Sequence, residues 1–176
     1  MPEPRPLPEA TDAGEAKCLA DVAKIGWHVV HVLEDDDTPG WSFTVGLART
    51  HGHPELVVFG IPREVAHDAL NSIGLRIRAG MKFPDGAAIP DVLDGFELAV
   101  KNVAVPWYAP FLGMAVWFHQ GDDFDAVQLF WPDKSGTWPW SPGASKGFQA
   151  EQPLLYEGDP IRAHVEALLA SLEDDA

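Results

Sequence analysis

Apolar residues follow two different periods along the chain, and each period predicts one kind of secondary structure. From Asp12 to Ile25 they recur at helical spacing, and Asp12 with Glu15 has the spacing of a helix capping box. The sequence therefore predicts a helix that ends at Gly26, since glycine suits the position after a last helical turn. A second helix is predicted from Pro62 to Arg78, because proline is favoured in the first turn.

Short alternating or unbroken apolar segments predict strands. They are Trp27–Leu33, Trp41–Ala48, Leu56–Ile61, Phe96–Val105 and Ala126–Trp131. An acidic turn that ends in Pro39 and Gly40 joins the first two, so we expect them to pair as a hairpin. In the second strand small residues alternate with large apolar ones, which predicts one core face and one small, slightly polar face.

Prolines and glycines mark the boundaries of the remaining elements. The stretch from Gly80 to Gly95 holds three glycines and two prolines and is predicted to be mostly loop. Pro106 starts another predicted helix, which carries His119 near its end. A last helix is predicted from Pro160 to Leu172, with Asp159 as its N-cap.

Together these elements indicate one α+β domain. Hairpins mixed with single helices predict a mainly antiparallel sheet of about five strands with about four helices packed around it. A chain of 176 residues is long enough to bury a core without disulfides or a structural metal. We expect a disordered or loosely attached tail over residues 1–11 and a single globular domain over residues 12–176.

The net charge of the chain disfavours some classes of binding partner. Lysine and arginine number 12 against 27 aspartates and glutamates, which gives a net charge of −15 at pH 7. Repulsion from phosphate groups therefore disfavours nucleic acid and anionic membranes as partners. Cys18 is the only cysteine, which excludes an intramolecular disulfide and a cysteine-only metal site. A cytoplasmic location is expected, because the N-terminal residues lack the pattern of a secretory signal.

Three short motifs occur in a distinctive order. Thr-x-Gly-Leu and His-Pro-Glu-Leu lie within Ser42–Pro62. Gln-Leu-x-Trp-Pro-Asp starts at Gln128, within the stretch Val127–Trp140. With Gly26 and Trp27 before them, they resemble the bacterial family called domain of unknown function 4262, over roughly residues 15–142. The resemblance implies a fold unit and a bacterial setting, but no reaction and no catalytic residues. The motif positions are Thr44, Gly46, His53, Pro54, Glu55, Gln128, Asp133 and Pro139.

Two interpretations fit the segment from His51 to Glu55. If the chain is extended there, His51, His53 and Glu55 project to one side and form a set suited to zinc, iron or manganese. Alternatively, His53 and Glu55 bond the loop backbone and fix the turn, while His51 is exposed. The second interpretation is favoured because the pattern is short and Pro54 interrupts the extension.

Polar and aromatic residues beside predicted strand ends indicate a small-molecule pocket, with or without catalysis. It would lie between the Thr44/Gly46 strand, the His53–Glu55 loop and the Gln128–Trp140 segment. The candidate ligand-binding residues are Thr44, Gly46, His53, Glu55, Gln128, Asp133, Trp138 and Trp140. A flavin is one ligand that the tryptophans could accept, and a divalent metal is another cofactor to consider, with neither favoured.

Several of these candidates also have an interpretation that needs no ligand. A helix packing against Thr44 and Gly46 explains their small face, and turn formation explains Asp133. Gln128 is either a solvent residue of the sheet or a polar group aimed into the pocket.

Two further functions remain open on the sequence. The acidic surface suits an inhibitor or immunity type of protein that covers a basic protein partner. A metal-dependent enzyme would use His51, His53 and Glu55, with His119 as a further ligand. Phosphate-binding glycine loops, nucleophile elbows and kinase motifs are not found in the sequence, so whether the protein is an enzyme stays undecided at this stage.

Overall fold

Six strands form one sheet within residues 5–36 and 38–156, the ranges that the computed structural model describes. The strands are β1 (His28–Val32), β2 (Trp41–Val45), β3 (Glu55–Phe59), β4 (Ala88–Leu93), β5 (Phe96–Asn102) and β6 (Ala126–Phe130). Their order across the sheet is β1-β2-β3-β6-β5-β4. β3 and β6 run parallel, and the other neighbouring strands run antiparallel.

Helices cover both faces of this sheet. They are α1 (Ala13–Ile25), α2 (Leu47–His51), α3 (Arg63–Arg78), α4 (Tyr108–Phe111), α5 (Gly113–His119) and α6 (Lys146–Glu151). Residues of α1, α4 and α5 form one core with Phe43 and Phe59, and residues of α3 form a second core with Leu56 and Val58. No helix in the described ranges has the length and apolar content needed to cross a membrane.

The predicted fold class and the first helix are confirmed. Asp12 caps α1, since its carboxylate accepts a hydrogen bond from the Glu15 amide at 2.8 Å. Gly26 follows the helix with φ of 108°, a left-handed conformation that favours glycine. Cys18 lies fully buried on α1, and burial, together with nearby carboxylates such as Glu55, raises the pKa of its thiol to about 12. The thiol is therefore a core group with little thiolate near neutral pH.

The predicted second strand is wrong at its end. β2 stops at Val45, and α2 occupies the residues that were expected to continue the strand. Gly46 has φ of 114°, which turns the chain out of the sheet directly before α2. Gly46 and Leu47 then donate their amides to the Glu55 carboxylate, so a residue of the next strand holds this turn.

Two other predictions were incomplete: one missed a strand and the other missed a break in a helix. The predicted loop from Gly80 to Gly95 contains β4, which pairs antiparallel with β5. Pro90 is tolerated in β4 because this strand lies at the edge of the sheet, where an amide donor is not needed on the outer side. The single helix predicted from Pro106 is divided into a 3₁₀ turn, α4 and α5, with a break at Leu112.

The C-terminal elements differ from the prediction in another way. α6 was not predicted, although Ser145 caps it by accepting a hydrogen bond from the Phe148 amide at 3.1 Å. The helix predicted from Pro160 to Leu172 lies outside the described residues.

Candidate functional site

A buried carboxylate lies where β2, α2 and β3 meet. Glu55 is the first residue of β3 and is fully buried. Its two oxygens accept hydrogen bonds from the Thr44 hydroxyl at 2.9 Å, the Gly46 amide at 2.8 Å and the Leu47 amide at 3.1 Å. A longer contact of 3.5 Å comes from the Ala48 amide. These donors offset the cost of removing the carboxylate from water.

The local sequence explains why the donors converge. The first amides of a helix lack partners within the helix, and Gly46 directs those of α2 toward β3. The Thr44 hydroxyl donates to Glu55 and also accepts from the Leu56 amide at 2.9 Å, which ties the end of β2 to β3. Thr44, Gly46 and Glu55 were all predicted as site residues, and the structure brings these three together.

His119 completes the cluster from the other side. Its Nε2 is 2.7 Å from Glu55 Oε2, and its ring stacks on Phe124 with the centroids 4.4 Å apart. Within the described residues no hydrogen-bond partner is found for Nδ1, and the side chain is 10% exposed. In the neutral ring that donates its Nε2 proton to Glu55, Nδ1 carries a lone pair that can accept a hydrogen bond.

An open cleft of about 590 Å³ borders His119, and we call it the His119 cleft. Its lining includes Arg5, Arg49, His53, Gln120, Asp123 and Phe124. The N-terminal segment forms part of its rim, since Arg49 donates to the carbonyl of Arg5 at 2.7 Å and Gln120 donates to that of Pro6 at 2.6 Å. The cleft therefore carries charges of both signs beside an imidazole of fixed orientation.

His53 is held in one tautomer by the backbone. Nδ1 donates to the Pro54 carbonyl at 2.8 Å, and Nε2 accepts from the Phe83 amide at 3.0 Å. The residue is 4% exposed, and burial lowers the pKa of its imidazole. Both ring nitrogens are in use, which matches the loop-fixing interpretation and leaves neither one for a metal.

The lowered pKa of His53 predicts a stability that declines in acid. The unfolded chain takes up a proton near the ordinary value of 6.5, whereas the folded protein keeps the ring neutral to lower pH. We therefore expect the free energy of unfolding to fall as the pH drops below that value. Urea unfolding between about pH 7 and pH 5 should show a shallower decline for His53→Gln, whose amide oxygen can still accept from Phe83. Parallel curves for the two proteins would contradict the assignment.

The predicted ligand set of His51, His53 and Glu55 is not formed. His51 is the last residue of α2 rather than part of an extended chain, and its ring lies against Trp27. Its buried Nε2 has no hydrogen-bond partner in the part of the chain that the structure describes. Within that part, no group of three or more histidine, cysteine, aspartate or glutamate side chains is placed to hold a metal ion.

The Gln128–Trp140 segment, which was predicted to form the other wall of the pocket, does not line the His119 cleft. Gln128 bridges β6 to the following segment, donating to the Pro153 carbonyl at 2.7 Å and accepting from the Leu155 amide at 3.2 Å. Asp133 accepts from the Ser135 and Thr137 amides, as expected of a turn residue.

The two candidate tryptophans belong to a separate aromatic cluster. Trp138 and Trp140 stack with their centroids 5.2 Å apart, and Trp140 also contacts Phe130. β3 and β6 are parallel and Glu55 pairs with Ala126, so the chain after Phe130 leaves the sheet at the end opposite to Glu55. The structure therefore does not bring Asp133, Trp138 and Trp140 to the His119 cleft.

Most residues of the cleft wall were not predicted from the sequence. His119 was considered as a further metal ligand and Arg49 only as a cation available for an anionic ligand, and Gln120 and Phe124 were given no role. Glu55 and His119 are 64 positions apart, and no local pattern connects them. A histidine at the end of a helix is weak evidence by itself, since it often only bonds helix carbonyls.

Comparisons with known proteins place the chain in one family. The family model described as Domain of unknown function (DUF4262) matches residues 21–145. This range holds all strands of the described sheet, and it includes Glu55 and His119. The comparisons with curated proteins and with solved structures give no match. On the strength of the match over most of its length, the chain belongs to the DUF4262 family.

Proposed function

We propose that this protein binds a small polar molecule in the His119 cleft, with His119 Nδ1 as the central contact. The proposal keeps the small-molecule function expected from the sequence and replaces the predicted Gln128–Trp140 wall with residues 118–125. The observation that carries it is the 2.7 Å contact between His119 and the fully buried Glu55. A buried carboxylate that fixes one imidazole nitrogen and leaves the other open is a recurrent arrangement at sites that bind ligands or transfer protons.

The charges around His119 indicate the kind of ligand that fits. Arg5 and Arg49 line the cleft and can pair with a carboxylate or phosphate group, whereas Asp123 and Asp125 can accept from amino or hydroxyl groups. Phe124 adds a flat apolar surface beside the imidazole. A compact molecule with an anionic group and a hydroxyl or amine would satisfy this lining.

His119 and Glu55 together can also support proton transfer. His119 Nδ1 can accept a proton from a bound hydroxyl within hydrogen-bond distance, and Glu55 then stabilises the positive charge on the ring. Glu55 itself is enclosed by its donors, so it acts on a ligand through His119 rather than directly.

Substituting His119 with glutamine is expected to weaken ligand binding by about tenfold while preserving the fold. The glutamine amide can still donate to Glu55, but it places no basic nitrogen at the position of Nδ1. Ligand-observed NMR with a library of small carboxylates, phosphates and hydroxy acids would compare wild type and variant.

The control for this experiment is His28→Gln. His28 bonds Asp21 on another part of the surface and does not line the His119 cleft. Fragments that bind wild type and His28→Gln but lose affinity for His119→Gln would support the proposal. A screen in which no fragment depends on His119 would overturn it.

A further inference from the structure

A pair of histidines, His31 and His67, lies where β1 faces α3. His31 of β1 pairs across the sheet with Ser42 of β2, and its Nδ1 is 2.7 Å from the Ser42 hydroxyl oxygen. Its Nε2 is 3.3 Å from Nδ1 of His67, an exposed residue of α3. Both rings line a cleft of about 590 Å³ that shares no lining residue with the His119 cleft.

The separation of the two nitrogens suits a shared metal ion. At 3.3 Å the two nitrogens are close enough for a weak hydrogen bond between the rings, a little beyond the roughly 2.7–3.2 Å of ordinary N–H···O bonds. Two nitrogens that each lie about 2.0–2.1 Å from one tetrahedral zinc ion are about 3.3–3.4 Å apart. The pair thus already has the spacing of two ligands of one ion, although its lone pairs must still turn toward a common point.

Ser42 sets the orientation of the His31 ring. When the Nδ1 proton is donated to the buried Ser42 hydroxyl, Nε2 carries the lone pair that faces His67. Metal-binding histidines commonly use their other nitrogen in this way.

The surrounding charges are compatible with a cation. Asp21, Glu64 and Asp68 line the same cleft, and Lys17 and Arg63 oppose them in part. Glu64 precedes His67 by three residues on α3, so the two side chains lie on one face of the helix. A carboxylate at that position can accept hydrogen bonds from water bound to an ion.

We propose that His31 Nε2 and His67 Nδ1 together bind one Zn²⁺ or a neighbouring late first-row divalent ion, with water in the remaining positions. Imidazole is a preferred ligand of these ions, and hard ions such as Mg²⁺ prefer oxygen. The site uses two protein ligands, which is consistent with the lack of any suitably placed group of three in the described residues. It is independent of the function proposed for His119.

The test is a titration of chelator-treated full-length protein with ZnCl₂ and, separately, with MgCl₂, followed by calorimetry. We expect zinc to bind at about one equivalent, and each of His31→Gln and His67→Gln to weaken it at least about tenfold. Ser42→Ala should weaken it as well, because His31 loses the partner of its Nδ1. The matched control is His28→Gln, which removes a histidine from the same cleft and should bind zinc as wild type does.

NMR of the histidine rings separates this site from binding elsewhere. Zinc should shift the signals of His31 Nε2 and His67 Nδ1 while His31 Nδ1 keeps its proton, and MgCl₂ should leave them unchanged. Thermal unfolding of each variant checks that it is folded, and the exposed position of His67 makes His67→Gln the safer substitution. Wild-type affinity in both His31→Gln and His67→Gln, or shifts confined to other histidines, would overturn the proposal.

Discussion

Replacing Glu55 with alanine is expected to lower the free energy of unfolding by about 3–5 kcal/mol. The substitution removes the acceptor of the Thr44 hydroxyl and of the Gly46 and Leu47 amides, all at buried positions. It also removes the hydrogen-bond partner of His119, which lies at the end of α5. Buried donors without acceptors give up their hydrogen bonds to water on folding and form none in the protein, which explains the size of the expected loss of stability. Urea unfolding followed by tryptophan fluorescence would measure it.

The matched control is Glu97→Ala, which removes an exposed glutamate from β5. Its effect should stay within about 0.5 kcal/mol, as is usual for surface substitutions. Glu55→Gln should lie between the two, since one oxygen still accepts while the new amide group opposes the donors around it. A loss below about 1 kcal/mol for Glu55→Ala would contradict the view that this carboxylate holds β2, α2 and α5 together.

The double role of Glu55 affects how function can be tested. The same carboxylate stabilises the turn after β2 and orients His119, so a Glu55 variant that loses ligand binding could simply be unfolded. His119→Gln avoids this problem because glutamine can still donate to Glu55. The experiments on stability and on binding should therefore use different residues.

Elements with local signals were predictable from the sequence. The Asp12 cap and Gly26 identify both ends of α1, and the predicted start and end of α3 lie within one residue of the observed ones. β4 and α2 were missed for the opposite reason. β4 forms because β5 pairs with it, and α2 begins where Gly46 meets the carboxylate of Glu55, nine positions later in the chain.

The candidate site was predictable only where its residues are close in sequence. Thr44 lies near the end of β2, Gly46 directly follows that strand and Glu55 begins β3, so their proximity follows from pairing two strands that are close in sequence. The predicted contact with the Gln128–Trp140 segment depended on the direction of β6. β6 runs parallel to β3, which carries the end of that segment away from Glu55, and strand direction cannot be obtained from apolar periodicity.

Substituting Gly46 with alanine is the second change expected to have a large effect, a loss of about 2–4 kcal/mol. Gly46 has φ of 114°, a conformation that strains any residue with a Cβ. An added Cβ would lie 2.8 Å from Val22 Cγ2 and 3.0 Å from the carbonyl oxygen of Gly26. The Gly26 oxygen belongs to the backbone at the end of α1, so it cannot move aside without shifting that helix.

Gly52→Ala is a control that adds backbone strain without a close contact. Gly46 is the residue before α2, and Gly52 is the residue after it. Gly52 also has a positive φ, of 64°, but a Cβ added there would have no atom within 4 Å. Its substitution should cost about 1 kcal/mol from backbone strain alone. The difference in unfolding free energy between the two alanine variants then measures the close packing of α1 against the turn that supports Glu55, together with the greater backbone strain at φ of 114° than at φ of 64°. Equal losses would mean that strain accounts for both, and that α1 can move away from this turn at little cost.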